Sequence, residues 1–301
     1  MLLTGKDLLD DELAHSMKVA GKGLRSLYVS FSMRGGGDYA LRENRLRNSM
    51  KSGKPTIGTR VLIAWPGVTE LIGYTGMYDY VEFVSEYAPY DLYDFENMSR
   101  AAELVGISSM IKIDQEPRTY IAERALAAGI QNTLFADIRT VKDAEEAVRA
   151  VRAEPRGVNG IRMDRRIGYV GAIATYADFT KICEDAVVAL MIEKRSAVEN
   201  LEEILSVKGI DMVQFGPADY SLSIGLPGET GHPKVREAEL KTIKMALKMG
   251  IVPRAEIKVP EEARKYIELG VRNFSLNTDI SVLYDWWRSK GSDLKKIISS
   301  I

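Results

Sequence analysis

Short apolar runs rich in β-branched residues alternate with amphipathic segments from Pro55 to the end of the chain. The amphipathic segments have helical spacing, as in Val141–Arg152 and Ala197–Ser206. This alternation predicts βα units around a parallel sheet, and eight units favour closure into a (β/α)8 TIM barrel over an open sheet. The predicted strands are Thr56–Ala64, Tyr80–Ser85, Ser108–Ile113, Thr133–Ala136, Val187–Glu193, Met212–Gly216, Ile251–Ala255 and Asn273–Leu276.

Glycines mark the places where helices are expected to end. Glycine readily adopts the left-handed backbone that terminates a helix, so a glycine shortly before a strand predicts this boundary. Six glycines fall at such positions: Gly53, Gly106, Gly129, Gly209, Gly250 and Gly270. The run Gly157–Met163 is a ninth strand candidate, which we interpret as part of the long loop after the fourth helix.

Residues 1–43 have a different pattern and are predicted to form an N-terminal extension, with residues 44–301 forming the barrel domain. Within the extension, Asp7–Val19 is a candidate amphipathic helix and Leu27–Phe31 is the one candidate strand. Arg34–Asp38 is rich in glycine and predicts a turn. A single α/β barrel needs about 250 residues, which the second segment supplies.

The composition is that of an ordinary soluble protein: 301 residues, 46% of them hydrophobic and 28% charged. The formal net charge of −1 gives no basic surface for nucleic acid or for an anionic membrane. Cys183 is the one cysteine, so an intrachain disulfide is excluded. No apolar run is long enough for a signal peptide or a membrane span. These features predict a cytoplasmic protein.

Active sites of such barrels lie at the carboxyl ends of the strands, so the residues that follow each strand are the first candidates. Several polar residues occupy these positions: Glu86 and Tyr87 after strand two, Lys112 and Asp114 at strand three, Asp137 after strand four, Glu193 to Arg195 after strand five, Asp219 after strand six, and Glu256 after strand seven.

Two of these carboxylates predict a metal site when they are taken together. Glu193 ends a run apolar enough to be buried on both faces, where a carboxylate must be paired with a cation. Taken alone, Glu193 would form an ion pair with Lys194, Arg195 or another strand-end cation, and Asp219 would cap a helix or turn. Because they follow adjacent strands at one rim, the two carboxylates also suit Mg2+ or Mn2+.

Several segments occur in order with the spacing of a known family. They are Met191–Ile204, Gly209–Asp211, Phe215–Ser221 and Gly231–Pro233. This set closely resembles the HpcH/HpaI family of class II pyruvate aldolases, and the resemblance covers roughly residues 44–290. Residues 1–43 have no counterpart in it.

The resemblance implies a carbon–carbon lyase that needs a divalent cation, namely Mg2+, Mn2+ or Co2+, held by Glu193 and Asp219. A 2-oxo acid such as pyruvate would chelate the metal, which acts as a Lewis acid and stabilises the enolate. Backbone groups around Gly216, Pro217 and Ala218 would hold the substrate carboxylate. The partners implied are a 2-oxo acid, an aldehyde and further copies of the chain, because the family forms trimers or hexamers.

Three positions depart from the family's usual residues. Tyr87 stands where the family has a histidine in Glu-His-Ala-Pro, and Tyr87 is a poorer base at neutral pH. Lys112 replaces an arginine and offers a point charge instead of a bidentate grip. Met191 replaces a glutamine. We therefore assign Glu86, Tyr87 and Lys112 as catalytic candidates, in an acid–base group that differs from the family's usual one. Lys112 is also expected to bind the substrate.

Two other functions remain open from the sequence. A strand-end lysine in a dry barrel could have a lowered pKa, so Lys112 could form a Schiff base with the substrate. The chain could also be a non-catalytic 2-oxo acid binding protein that retains the metal site. The last predicted helix carries a broad apolar surface that includes Leu283, Tyr284, Trp286 and Trp287, which predicts a homo-oligomer.

Overall fold

Eight parallel strands close into a barrel in the order of the chain, each strand pairing with the next and β8 pairing with β1. This computed structural model describes residues 42–162, 164–169 and 174–301. The predicted helix Asp7–Val19, the predicted strand Leu27–Phe31 and the turn Arg34–Asp38 lie outside the described residues. The strands are β1 Thr56–Val61, β2 Tyr80–Val84, β3 Ser108–Ile113, β4 Asn132–Phe135, β5 Val188–Ile192, β6 Met212–Phe215, β7 Val252–Ile257 and β8 Asn273–Thr278.

Helices follow the strands and surround the barrel. Those in the described residues are α1 Arg45–Lys51, α2 Pro66–Tyr74, α3 Leu92–Leu104, α4 Arg118–Ala128, α5 Val141–Val151, α6 Tyr176–Asp185, α7 Arg195–Glu199, α8 Leu201–Leu205, α9 Pro217–Ser223, α10 Pro233–Lys248, α11 Ala263–Glu268 and α12 Asp279–Ile298. The predicted (β/α)8 fold is therefore confirmed. No helix in the described part of the chain is both long and apolar enough to cross a membrane.

The helix ends predicted at glycine residues agree with the backbone conformation of these glycines. All six glycines expected to end helices have positive φ angles, such as 107° at Gly129 and 101° at Gly209, where residues with a side chain are strained. The described part of Gly157–Met163 lies in the loop between α5 and α6, as interpreted from the sequence.

The predicted helix Ala197–Ser206 is wrong as one element, because the chain forms two short helices, α7 and α8, that meet at Asn200. The side-chain amide of Asn200 donates a hydrogen bond to the Ser196 carbonyl at 3.1 Å. Asn200 has backbone angles of φ −101° and ψ 27°, which lie outside the range of a regular helix, and this is where the two helices separate.

Helix α1 closes the amino-terminal end of the barrel. Its Leu46 is fully buried in the same cluster as Tyr80, Met110 and Met212, which come from three different strands. Arg47 reaches across the end and pairs with both carboxylate oxygens of Asp211, each at 2.6 Å. The carboxyl ends of the strands remain as the open end, which is where the functional site is expected.

Glu82 of β2 and Arg254 of β7 form an ion pair inside the barrel, and both side chains are fully buried. The Arg254 guanidinium also lies over the Tyr80 ring, 5.4 Å from its centroid. We expect Glu82→Leu to lower the free energy of unfolding by about 3–5 kcal/mol, because it leaves an unpaired buried cation.

Urea denaturation followed by circular dichroism measures this loss. The double variant Glu82→Leu/Arg254→Met is the control, and it should recover most of the lost stability because it removes both charges. A double variant that is less stable than Glu82→Leu would show that charge burial is not the cause.

Candidate active site

A cavity of about 400 Å³ opens at the carboxyl end of the barrel. The predicted site residues that line it come from four places in the chain: Tyr87 after β2, Lys112 on β3, Glu193 after β5, and Gly216 to Asp219 after β6. Glu86 joins them through an ion pair with Lys112. The fold thus brings all the predicted site residues to one rim.

Glu193 is buried, with 2% of its surface exposed. Its Oε1 accepts a hydrogen bond from the backbone N–H of Asp137 at 2.9 Å. The Asp137 backbone has a φ of 53°, a left-handed conformation that aspartate tolerates better than most residues. The turn after β4 is therefore shaped to direct an N–H group at this carboxylate.

The ion pairs expected for Glu193 from its neighbours in sequence are not formed. Lys194 contacts Asp137 and Asp219 instead, and Arg195 contacts Glu199 at 2.7 Å. Burial raises the pKa of Glu193 to about 7, while the nearby Lys112 ammonium opposes this shift. A carboxylate in this environment is stabilised by a cation inside the cavity.

Gly216 leaves the space that the Glu193 carboxylate occupies. A Cβ atom at position 216 would lie 2.5 Å from Glu193 Oε2 and 2.8 Å from Glu193 Cβ, closer than atoms can approach. A side chain at this position would displace the carboxylate. Because Gly216 has no side chain, the Glu193 carboxylate can occupy this position.

Asp219 lies in the first turn of α9, and 38% of its side chain is exposed. Its Oδ1 is 3.2 Å from Lys194 Nζ, so the carboxylate is directed toward the rim and not back into a cap. The backbone N–H groups of Ala218 and Asp219 belong to the first helical turn, which has no intrahelical acceptors for them. Pro217 has no N–H and contributes only to the lining.

Lys112, Glu86 and Tyr87 form a second group beside Glu193. The Lys112 ammonium pairs with Glu86 and donates a hydrogen bond to the Tyr87 hydroxyl at 3.4 Å. Burial acts to lower the pKa of Lys112, but the Glu193 and Glu86 carboxylates outweigh it and raise the pKa above its ordinary value. The lowered pKa expected for a Schiff-base lysine is therefore wrong, because two buried carboxylates hold the proton on the amine.

Tyr87 is exposed over 59% of its surface, but its phenol end contacts Lys112. Burial of that end raises the pKa of Tyr87 to about 12, despite the opposing Lys112 charge. The hydroxyl is therefore protonated at neutral pH. It can donate or orient a proton, but it cannot serve as a general base in the way that a histidine can.

Three further acidic side chains lie together at the same rim. Carboxylate oxygens of Glu86, Asp114 and Asp137 lie within 4.8 Å of one another, which makes a second candidate group for a cation. Asp114 and Asp137 were predicted from the sequence as strand-end residues without an assigned role. Their positions after β3 and β4 could have indicated that they lie together, because the ends of adjacent strands meet at one rim.

An ion pair on another wall of the cavity was not predicted from the sequence. Arg60 of β1 and Glu256 of β7 both line the cavity, and Arg60 Nη2 is 2.6 Å from Glu256 Oε1. Glu256 follows predicted strand seven, whereas Arg60 lies inside predicted strand one, where its position gives no signal of a place in the site. The pairing of β1 with β8 shifts register between Gly58 and Arg60.

Residues 72–278 match the sequence profile of the HpcH/HpaI aldolase/citrate lyase family. The chain belongs to this family. It is similar to the 5-keto-4-deoxy-D-glucarate aldolase of Shigella boydii, at 26% identity over 254 residues that make up 84% of this chain and 97% of the relative. The resemblance inferred from the sequence motifs is thereby confirmed.

Solved structures show the same fold. The HpcH/HpaI aldolase from Desulfitobacterium hafniense superposes with a TM-score of 0.78 at 24% identity, covering 84% of this chain and 97% of that one. An HpcH/HpaI aldolase/citrate lyase family protein from Burkholderia cenocepacia gives a TM-score of 0.75 at 25% identity. The match covers 84% of this chain and 100% of that one. The family and its named aldolases make this chain an enzyme, a lyase of the aldolase/citrate lyase type.

Proposed function

We propose that the enzyme cleaves and forms a carbon–carbon bond of a 2-oxo acid with the help of one divalent cation bound by Glu193 and Asp219. The buried Glu193 carboxylate, held by the Asp137 N–H and accommodated by Gly216, is the observation that carries the proposal. The natural reaction would split a 4-hydroxy-2-oxo acid into an aldehyde and a pyruvate-like acid, or join these two.

The donor set fits a hard divalent cation. Glu193 and Asp219 supply carboxylate oxygens at one rim, and Mg2+ or Mn2+ takes one or two carboxylates and completes its shell from water and substrate. Glu193 is preferred over the group of Glu86, Asp114 and Asp137 because it is buried and forms no ion pair among the described residues, whereas Glu86 is paired with Lys112, Asp137 is paired with Lys194 and Asp114 is exposed. The cation would supply Lewis acidity toward the carboxylate and keto oxygens of the 2-oxo acid.

The chain's own groups bind the substrate and compensate its charge. The free N–H groups of Ala218 and Asp219 would receive the substrate carboxylate beside Gly216 and Pro217. The Lys112 ammonium, held by Glu86, would stabilise negative charge that develops on the keto oxygen. The protonated Tyr87 hydroxyl would orient a substrate oxygen or a water molecule.

Release of pyruvate from a racemic 4-hydroxy-2-oxo acid tests this function, with lactate dehydrogenase and NADH reporting the product. Protein stripped with a chelator should be inactive, and Mn2+ or Mg2+ should restore turnover. Turnover that survives complete metal removal would contradict the proposal. Tight pyruvate binding with metal but no turnover of any 4-hydroxy-2-oxo acid would instead support the non-catalytic binding protein.

The Tyr87 hydroxyl is expected to contribute about 10²-fold to kcat, so Tyr87→Phe should lose that factor with little change in metal affinity. The reason is its contact with Lys112, which places the hydroxyl beside the group that faces the substrate. Steady-state kinetics at matched metal occupancy measures the effect. Wild-type turnover in Tyr87→Phe would show that the ring only fills the space.

Helix α12 supports the proposal that the enzyme is a homo-oligomer. Asp279, at its start, is the buried residue of this helix and accepts hydrogen bonds from the backbone N–H groups of Leu62 and Ile63. Beyond it, Trp286 and Trp287 are each exposed over about three fifths of their surface. Large apolar side chains exposed in this way are stabilised when another subunit covers them.

We expect sedimentation of the wild type to give a trimer or hexamer, and Trp286→Glu/Trp287→Glu to dissociate it. The variant should keep the circular dichroism spectrum of the barrel, because these side chains lie on the surface. A single 33.5 kDa species for the wild type at micromolar concentration would contradict this expectation.

A further inference from the structure

Lys194 lies between two acidic side chains at the open end of the barrel. Its ammonium nitrogen is 2.5 Å from Asp137 Oδ1 and 3.2 Å from Asp219 Oδ1. The Lys194 side chain is 13% exposed, so water screens its charge weakly. Lys194 directly follows Glu193, and the Asp137 that it contacts also holds Glu193 through its backbone N–H.

We propose that Lys194 is an internal competitor of the divalent cation: its ammonium contacts Asp219 Oδ1, and the cation must compete with it for the Asp219 carboxylate. This inference rests on the proposed function, since it takes Asp219 as a metal ligand. Lys194 thereby sets how tightly the site holds metal and keeps the acidic rim assembled without it.

The arrangement of the two contacts supports displacement. The shorter contact is with Asp137 and the longer one is with Asp219, so the ammonium can leave Asp219 and retain its partner on Asp137. An ammonium group and a divalent cation use the same carboxylate oxygens: the ammonium donates hydrogen bonds to them, and the cation coordinates them. Even after displacement, the lysine charge stays near the cation and repels it.

Arg139 provides a matched control on the same carboxylate. Its Nη2 is 3.5 Å from Asp137 Oδ1, but 47% of its side chain is exposed, and its contact is with Asp137. Removing Arg139 therefore deletes one positive charge near the rim without freeing Asp219. Exposed charges of this kind contribute little to binding because water and salt screen them.

Isothermal titration of Mn2+ into metal-free protein tests the proposal with wild type, Lys194→Met, Arg139→Gln and Asp219→Asn. Lys194→Met should bind Mn2+ at least about tenfold more tightly than wild type. Arg139→Gln should stay within about threefold of wild type. Metal-free Lys194→Met should also melt at a lower temperature than wild type, and Mn2+ should reverse this loss.

Different results would contradict Asp219 as a metal ligand and Lys194 as a competitor of the metal. If Asp219→Asn loses Mn2+ binding while Lys194→Met binds equally or more weakly than wild type, Lys194 orients Asp219 and the competitor role is overturned alone. If Asp219→Asn binds Mn2+ as wild type does, the proposed metal site and the competitor role both fall. Should Lys194→Met fail to fold, Lys194→Thr takes its place under the same criteria.

Discussion

Glu193→Gln is expected to reduce kcat/KM for cleavage of a 4-hydroxy-2-oxo acid by about 10³-fold or more. Glutamine preserves the size of the side chain and an oxygen that can accept from the Asp137 N–H. It removes the negative charge, and a cation with only two protein ligands depends strongly on each of them. Mn2+ titration should show the loss of affinity directly, and circular dichroism should show an intact fold.

Asp114→Asn is the control for this result. Asp114 is exposed and belongs to the second acidic group, with Glu86 and Asp137. Its variant should bind Mn2+ and turn over substrate much as wild type does. Loss of metal in Asp114→Asn, with metal retained in Glu193→Gln, would place the cation in the second group and contradict the assignment of Glu193.

Lys112→Met is expected to lower kcat by about 10²–10³-fold, because it removes the buried cation that faces the developing negative charge. It also leaves Glu86 without its partner, so Glu86→Gln/Lys112→Met separates the loss of charge stabilisation from the cost of an unpaired carboxylate. Lys112→Arg should retain more activity than Lys112→Met, since arginine keeps the charge. Steady-state kinetics of these variants at saturating Mn2+ provides the comparison.

Borohydride treatment distinguishes the charge role of Lys112 from a covalent role. With pyruvate present, the mass of the protein should stay unchanged, because the paired ammonium is held protonated by Glu193 and Glu86. A pyruvate-derived adduct on Lys112 would establish a Schiff-base mechanism and overturn the proposed role of the cation.

Strands β2 to β6 were predictable because they are buried on both faces and are therefore rich in apolar residues. β3 was predicted residue for residue, and β5 differs by one residue at each end. Helix continuity was less predictable, as Asn200 shows. Asparagine occurs inside helices as well as at their ends, so its presence in the sequence does not specify that the backbone leaves helical geometry at this position.

The positions of the candidate site residues followed from the fold, whereas their partners did not. Any residue after a barrel strand lies at the open end, so Glu193, Asp219, Lys112 and Tyr87 could be predicted to share a rim. Lys194 pairs with Asp137 and Asp219 instead of Glu193. This pairing depends on the loop after β4, which contains Asp137. The metal and catalytic assignments of these residues remain predictions.

The pKa of Lys112 shows why local sequence is insufficient for electrostatics. A buried lysine alone has a lowered pKa, which made the Schiff-base hypothesis reasonable from the sequence. Glu86 follows β2 and Glu193 follows β5, and only the closed barrel brings both to Lys112 on β3. Their combined charge reverses the direction of the shift.

Deuterium exchange into the methyl group of pyruvate tests the central claim most directly, because it requires no knowledge of the aldehyde. In D2O with Mg2+, wild type should exchange the methyl protons, as followed by proton NMR, while chelator-treated wild type and Asp219→Asn should not. Exchange that continues at full rate without metal, or in Asp219→Asn, would contradict a cation held by Glu193 and Asp219 as the activator of the 2-oxo acid.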